Sequence, residues 1–204
     1  MNSGLRWVWV AGALVTAVAG CAPDAKPATS SSATVPAEQV FAAGCPELSG
    51  PPFGIEAKGK RLAGYVAPAE QRILDRLVPG AQVDLVICQY SRPNSTHPGI
   101  QIDVRSFRGQ SGTAQATTFA DVEQGSTSDS YADFVTVPAS GDNGGFAWYD
   151  EPDFCIATHS GNAYVIVAID VGAGAAQDPD KQKTLRKQVP TLAAIMTGVL
   201  DALR

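Results

Sequence analysis

Phe154-Cys155-Ile156-Ala157-Thr158-His159, then Ser160-Gly161-Asn162, then Ala163-Tyr164-Val165-Ile166-Val167-Ala168-Ile169-Asp170-Val171: this stretch decides the fold. Two apolar, β-branched and aromatic runs flank three turn-forming residues, which is the pattern of a β-hairpin. The second run is almost wholly apolar. A strand that hides both faces belongs in the middle of a sheet.

Working outward, the preceding segments supply more strands. Gln82–Tyr90 sets Val83, Leu85 and Ile87 against Asp84, Val86 and Cys88 and reads as an inner strand. Ile100–Phe107 alternates cleanly, with Ile100, Ile102 and Val104 inward and Gln101, Asp103 and Arg105 outward. The loop Ser91–Pro98 between them predicts an antiparallel pair. Phe134–Val137 is a short strand, and Gly145–Tyr149 returns after the turn-rich Ser140–Gly145.

Helices punctuate these strands. Pro68–Val78 begins on a proline suited to a first turn, carries Ile73, Leu74 and Leu77 on one face, and stops at Pro79-Gly80. Thr113–Glu123 is a weaker helix anchored by Phe119 and Val122, followed by a polar loop over Gly125–Ser130. Near the end, Leu185, Val189, Leu192, Met196, Val199 and Leu203 form one apolar stripe, which Pro190 should kink or split. Gly172–Asp180 reads as the loop before it, and Lys181, Lys183, Arg186 and Lys187 as a solvated face. The strands and helices lack a βαβ rhythm. The expected fold class is α+β: an antiparallel sheet of hairpins covered on one face by helices, the Pro-kinked C-terminal amphipathic helix being the main cover.

The N-terminal part has a different character. Met1–Arg6 carries one positive charge, and Trp7–Ala19 is an uncharged apolar run of signal-peptide length, short for a membrane span. Val18-Ala19-Gly20-Cys21 follows directly and resembles a bacterial lipobox. The resemblance implies that Cys21 takes a diacylglycerol thioether, with palmitate-type acyl chains, and becomes the mature N-terminus on the extracytoplasmic face of the cell membrane. Ala17-Val18-Ala19 leaves ordinary cleavage open, and an uncleaved anchor is the other alternative. The Pro/Ser/Thr/Ala segment that follows cannot bury a face. The expected organisation is a signal over residues 1–20, a disordered tether over 21–40 and one globular domain over 41–204.

Composition narrows function without naming it. At 45% apolar and 17% charged residues the chain is globular, and its net charge of −5 without a basic, aromatic-interleaved stripe argues against nucleic acid. The partners expected are the membrane, through the N-terminal lipid, and a small ligand or an envelope protein.

With Cys21 lipidated, Cys45, Cys88 and Cys155 remain in a compartment where disulfides persist. Cys45 sits in irregular chain beside Pro46, whereas Cys88 and Cys155 sit in strands. That favours a bridge using Cys45, first to Cys88, with Cys88–Cys155 and Cys45–Cys155 as the other pairings. No C-x-x-C or clustered histidines suggest zinc, and no P-loop or dinucleotide fingerprint suggests a cofactor.

Cys45-Pro46, the strand end Cys88-Gln89-Tyr90, the Gly-rich turn before Phe146-Ala147-Trp148, and the Cys155 hairpin ahead of an amphipathic helix form a layout. It resembles small bacterial envelope lipoproteins of unknown function. It is also similar to the extracellular sensor domains of bacterial receptor Ser/Thr kinases. The likeness runs from Cys45 to Leu203 and implies ligand or partner binding rather than catalysis. Those families often carry a further Cys near the last helix, which this chain lacks.

Catalytic chemistry has few candidates. The histidines are His97, in a loop, and His159, at a strand end; Gly109-Gln110-Ser111-Gly112 falls short of a nucleophile elbow. A hydrolase would need Ser111 or another nucleophile within reach of one of them. Asp150, Glu151 and Asp153 read as a solvated turn rather than a calcium or glycosidase pair. The tentative binding residues are Tyr90, His97, Trp148, Tyr149 and His159, on strand ends and loops. Trp148 and Tyr149 are consecutive, so one should be core and the other exposed. The function expected is a lipid-anchored extracytoplasmic binding or sensing module. An envelope hydrolase or a passive structural or assembly lipoprotein is the alternative.

Overall fold

In the computed structural model, Gly161 and Asn162 form a two-residue turn between Ser160 and Ala163, with Gly161 at a positive φ of 55°. A glycine takes that conformation without a Cβ clash. The structure describes residues 41–203 apart from 65, 96, 132–133, 138–140, 143, 151 and 172–179. The expected signal and tether therefore lie outside the described residues, as does most of the Gly172–Asp180 loop.

In chain order the elements are β1 (Lys60–Ala63), α1 (Pro68–Leu77), β2 (Val83–Ser91), β3 (Pro98–Phe107), α2 (Gly112–Ser130), β4 (Val135–Val137), β5 (Gly145–Asp150), β6 (Asp153–Ser160), β7 (Ala163–Asp170) and α3 (Lys181–Ala202). The seven strands form one sheet in the order β1-β2-β3-β7-β6-β5-β4, with every neighbouring pair antiparallel. This is an α+β fold. The almost wholly apolar strand, β7, is the fourth of the seven, where the sequence puts it.

Both faces of the sheet are covered, not one. Toward one face, β3 sends Ile100, Ile102 and Val104, β7 sends Val165, Val167 and Ile169, and β6 sends Phe154 and Ile156. There they meet Leu192, Met196, Val199 and Leu203 of α3, together with Phe41, Leu48 and Ile55 of the N-terminal arm. Toward the other face point Phe107, Tyr164, Cys155, Ala157, Phe146 and Trp148, which meet Leu74 of α1 and Ala116, Phe119 and Ala120 of α2. The expectation of helices on a single face fails because α1 and α2 carry their own apolar residues to the side that α3 leaves open.

Three other expectations change. α2 runs through Gly125–Ser130, where a loop was expected; buried Thr127 continues the stripe of Ala116, Phe119 and Ala120. α3 passes Pro190 as one helix from Lys181 to Ala202. Ile73, expected on the inner face of α1, is 48% exposed; Leu74 fills that role. Strand β1 pairs with β2 at the sheet edge and carries Lys60 and Arg61, too short and too charged for an apolar pattern to mark it. Among the described residues no helix is long and apolar enough to cross a membrane.

Candidate functional site

Strand alternation makes the α1/α2 side of the sheet unlike the other. On β2 and β3 the side chains directed there include Gln89, Gln101, Asp103 and Arg105, and on β7 they include Ile166 and Ala168. All are half-buried although they stand on inner strands. α2 seals the end of this face near Phe107, where the Phe107 and Tyr164 rings lie 5.7 and 5.1 Å from Phe119. Toward the opposite end the face stays partly open, and its floor is polar.

The floor is wired. Gln89 and Gln101 are direct partners across β2 and β3; Gln89 Nε2 donates to Gln101 Oε1 at 2.9 Å, and Gln101 Nε2 donates to Asp103 Oδ1 at 3.0 Å. Next along β3, Arg105 donates from Nε and Nη2 to one oxygen of Glu70, at the start of α1, over 2.9 and 2.7 Å. The guanidinium side chain is 12% exposed and the carboxylate 29%. Arg105 Nη1 is buried and has no hydrogen-bond partner among the described residues.

Carboxylates dominate the rest. Burial pushes the Asp103 carboxyl above its ordinary range, against the pull of Arg105 and the Gln101 hydrogen bond. Burial likewise raises Glu123 of α2, again opposed by Arg105. At the open end, Asp150, Asp153 and Asp170 stand in register across β5, β6 and β7. Asp153 is raised by burial first, then by Asp170 and Asp150, while His97 lowers it. One guanidinium among so many acids makes this an acidic surface able to accept hydrogen bonds from amide or cationic donors. Among the described residues no group of three His, Cys, Asp or Glu side chains is placed to hold a metal ion.

The tentative binding residues do not converge on it. Tyr90 is fully buried on the α3 face, and its hydroxyl donates to Pro46 O at 2.8 Å. Trp148 and Tyr149 do point to opposite faces, but both are buried, because both faces have a helical cover. Trp148 packs beside Phe146 and Tyr131, and Tyr149 beside Phe154. His97 is exposed in the loop before β3, at the end of the sheet where Asp153 lies. His159 is buried at the opposite end, opposite Tyr164.

His159 has a structural partner. Its Nε2 lies 3.3 Å from Thr117 Oγ1, and that hydroxyl donates to Thr113 O at 3.0 Å. With the hydroxyl proton committed, the contact is satisfied by an Nε2–H donating to the Thr117 oxygen, which is not the arrangement of a general base. Ser111 is exposed at the start of α2.

Cys45 and Cys88 are joined by a disulfide, the first of the three pairings. It ties the N-terminal arm to β2. Cys155 is a buried free thiol beneath the α2 side, and burial pushes its pKa far up. Such a thiol is inert packing, in keeping with its strand position.

No family model matches the chain, and neither a curated protein nor a solved structure matches it. The floor residues Gln101, Asp103 and Arg105 had a signal in the sequence: the outward alternation of β3. Topology was needed to see that outward meant toward a second layer rather than toward water. Glu70 and Glu123 carried no such signal, since a charge on an amphipathic helix reads as solvated.

Proposed function

We propose that the chain is a lipid-anchored binding or sensing module on the extracytoplasmic face of the cell membrane. Its ligand or partner is taken on the polar floor of the α1/α2 side. The observation that carries this reading is the hydrogen-bonded line Gln89–Gln101–Asp103, with Arg105 beside it, left half-open on inner strands. Desolvating a carboxylate there costs stability, so it is a poor choice for packing and a good one for recognition. The lipobox-like Val18–Cys21 supports the anchoring. The commitment of His159 to Thr117 favours binding over the hydrolase alternative.

Native mass spectrometry of the full chain, extracted from the envelope in mild detergent, tests the reading. A co-purified mass should appear and should vanish in Ala168→Trp, which fills the floor, while the melting transition stays within a few degrees. Loss of a hydrolytic activity in Ser111→Ala or His159→Ala would replace it with the enzyme reading. Cys21→Ser tests the anchor separately, and a mature, unlipidated form still partitioning with membranes would refute it.

A further inference from the structure

Two of the exposed large apolar side chains among the described residues, Ile73 and Val122, flank one groove. It lies between α1 and α2 on their outer surface. A cavity of about 210 Å³ marks one end, where Leu77, Val78 and Pro79 face Ala114, Gln115 and Thr118. The other end is marked by Glu70, whose charge acts on Glu123. The start of α1 thus lies by Glu123 and its end by Ala114 and Thr118, so the two helices are antiparallel. That alignment sets Ile73 level with Val122, and Arg72 level with Asp121.

The charges beside this apolar seam are divided by helix. Arg72 and Arg76 are exposed on α1. On α2, Asp121 and Asp129 are exposed, and the helix contains no Lys or Arg. A two-fold axis lying along the groove places α1 of one copy over α2 of the other. Arg72 of each then meets Asp121 of its mate, and Ile73 meets Val122, which is the self-complementarity an isologous interface requires.

We propose that the outer α1–α2 surface is a homodimer interface and that its occupant is a second copy of this chain. At 1.5 Å per residue α2 spans about 28 Å and α1 about 15 Å; at about 10 Å of width each, the footprint is on the order of 400 Å² per copy. That is the small, weak class of interface. Copies held on one membrane by their lipids would gain from a raised effective concentration. The interface does not involve the polar floor, so it stands or falls apart from the ligand reading.

Sedimentation equilibrium of the full chain in density-matched detergent decides it. The expected result is a reversible monomer–dimer equilibrium. Arg72→Glu and Asp121→Arg should each weaken it about tenfold or more, and the double reversal should restore it to within a few-fold. Val122→Asp should abolish it with an unchanged circular dichroism spectrum. A monomer mass at every concentration, a dimer indifferent to Val122→Asp, or a different envelope protein captured at Val122 in a monomeric chain would each overturn the proposal.

Discussion

The two faces of one sheet differ more than any two elements of the molecule. On the α3 side, alternate residues of β3 and β7 are Ile100, Ile102, Val104, Val165, Val167 and Ile169, each 0–1% exposed. One position along, the same strands present Gln101, Asp103, Arg105, Ile166 and Ala168 to the α1/α2 side, all half-buried. A strand's period of two lets a single segment carry a dry core and a wet floor at once. The stabilising burial is concentrated on one side, which leaves the other free to hold carboxylates at a cost the core can offset.

If that division is real, truncation should be felt unequally. Ile156→Ala, on the α3 side, should cost about 2–5 kcal/mol in denaturant unfolding. Ile166→Ala, on the floor, should cost less than about 1.5 kcal/mol, since much of its surface is already wet. Equal losses would erase the distinction. The arm that completes the α3 side is next. Cys45→Ser opens a cross-link spanning 43 residues and should cost about 2–4 kcal/mol, matched by wild type under reductant. No change with reductant would mean the arm holds by packing alone.

The smallest effect has the opposite sign. Asp103 has a raised folded-state pKa, so the stability it contributes is present below the ordinary carboxylate pKa and lost as pH rises through the raised value. Asp103→Asn keeps an acceptor for Gln101 without the buried charge. It should therefore equal wild type near pH 3 and exceed it at pH 7, by tenths of a kcal/mol to be read from unfolding curves across pH. A difference that does not depend on pH would show that the floor is not under electrostatic tension.

The hairpin over Phe154–Val171 was legible because local turn chemistry and an apolar run agree there. So was the Cys45–Cys88 bridge, since an accessible thiol and a strand thiol differ in plain sequence terms. The second helical layer was not legible. α2 is polar over its last turns, and only the contacts of Phe119 with Phe107 and Tyr164 hold it to the sheet strongly enough to extend it past Gly125. Once that layer was missed, Trp148 and Tyr149 had to divide into one buried and one exposed residue. The polar floor was out of reach for the same reason: a charged residue facing water and one facing a half-closed layer look identical in a single sequence.

The Cys45–Cys88 bond also sets how the molecule answers a mechanical pull. Tension on the chain ahead of Cys45 is handed across the sulfur atoms directly to the middle of β2. Residues 46 to 87, including β1 and α1, lie inside the covalent loop and are shielded from the load. Cys88 is paired with Arg61 on one side and Ile102 on the other, so yielding requires two ladders to shear together rather than an arm to peel away. Reduction would move the load to the arm, and the first event under force would become the stripping of Phe41, Leu48 and Ile55 from the sheet.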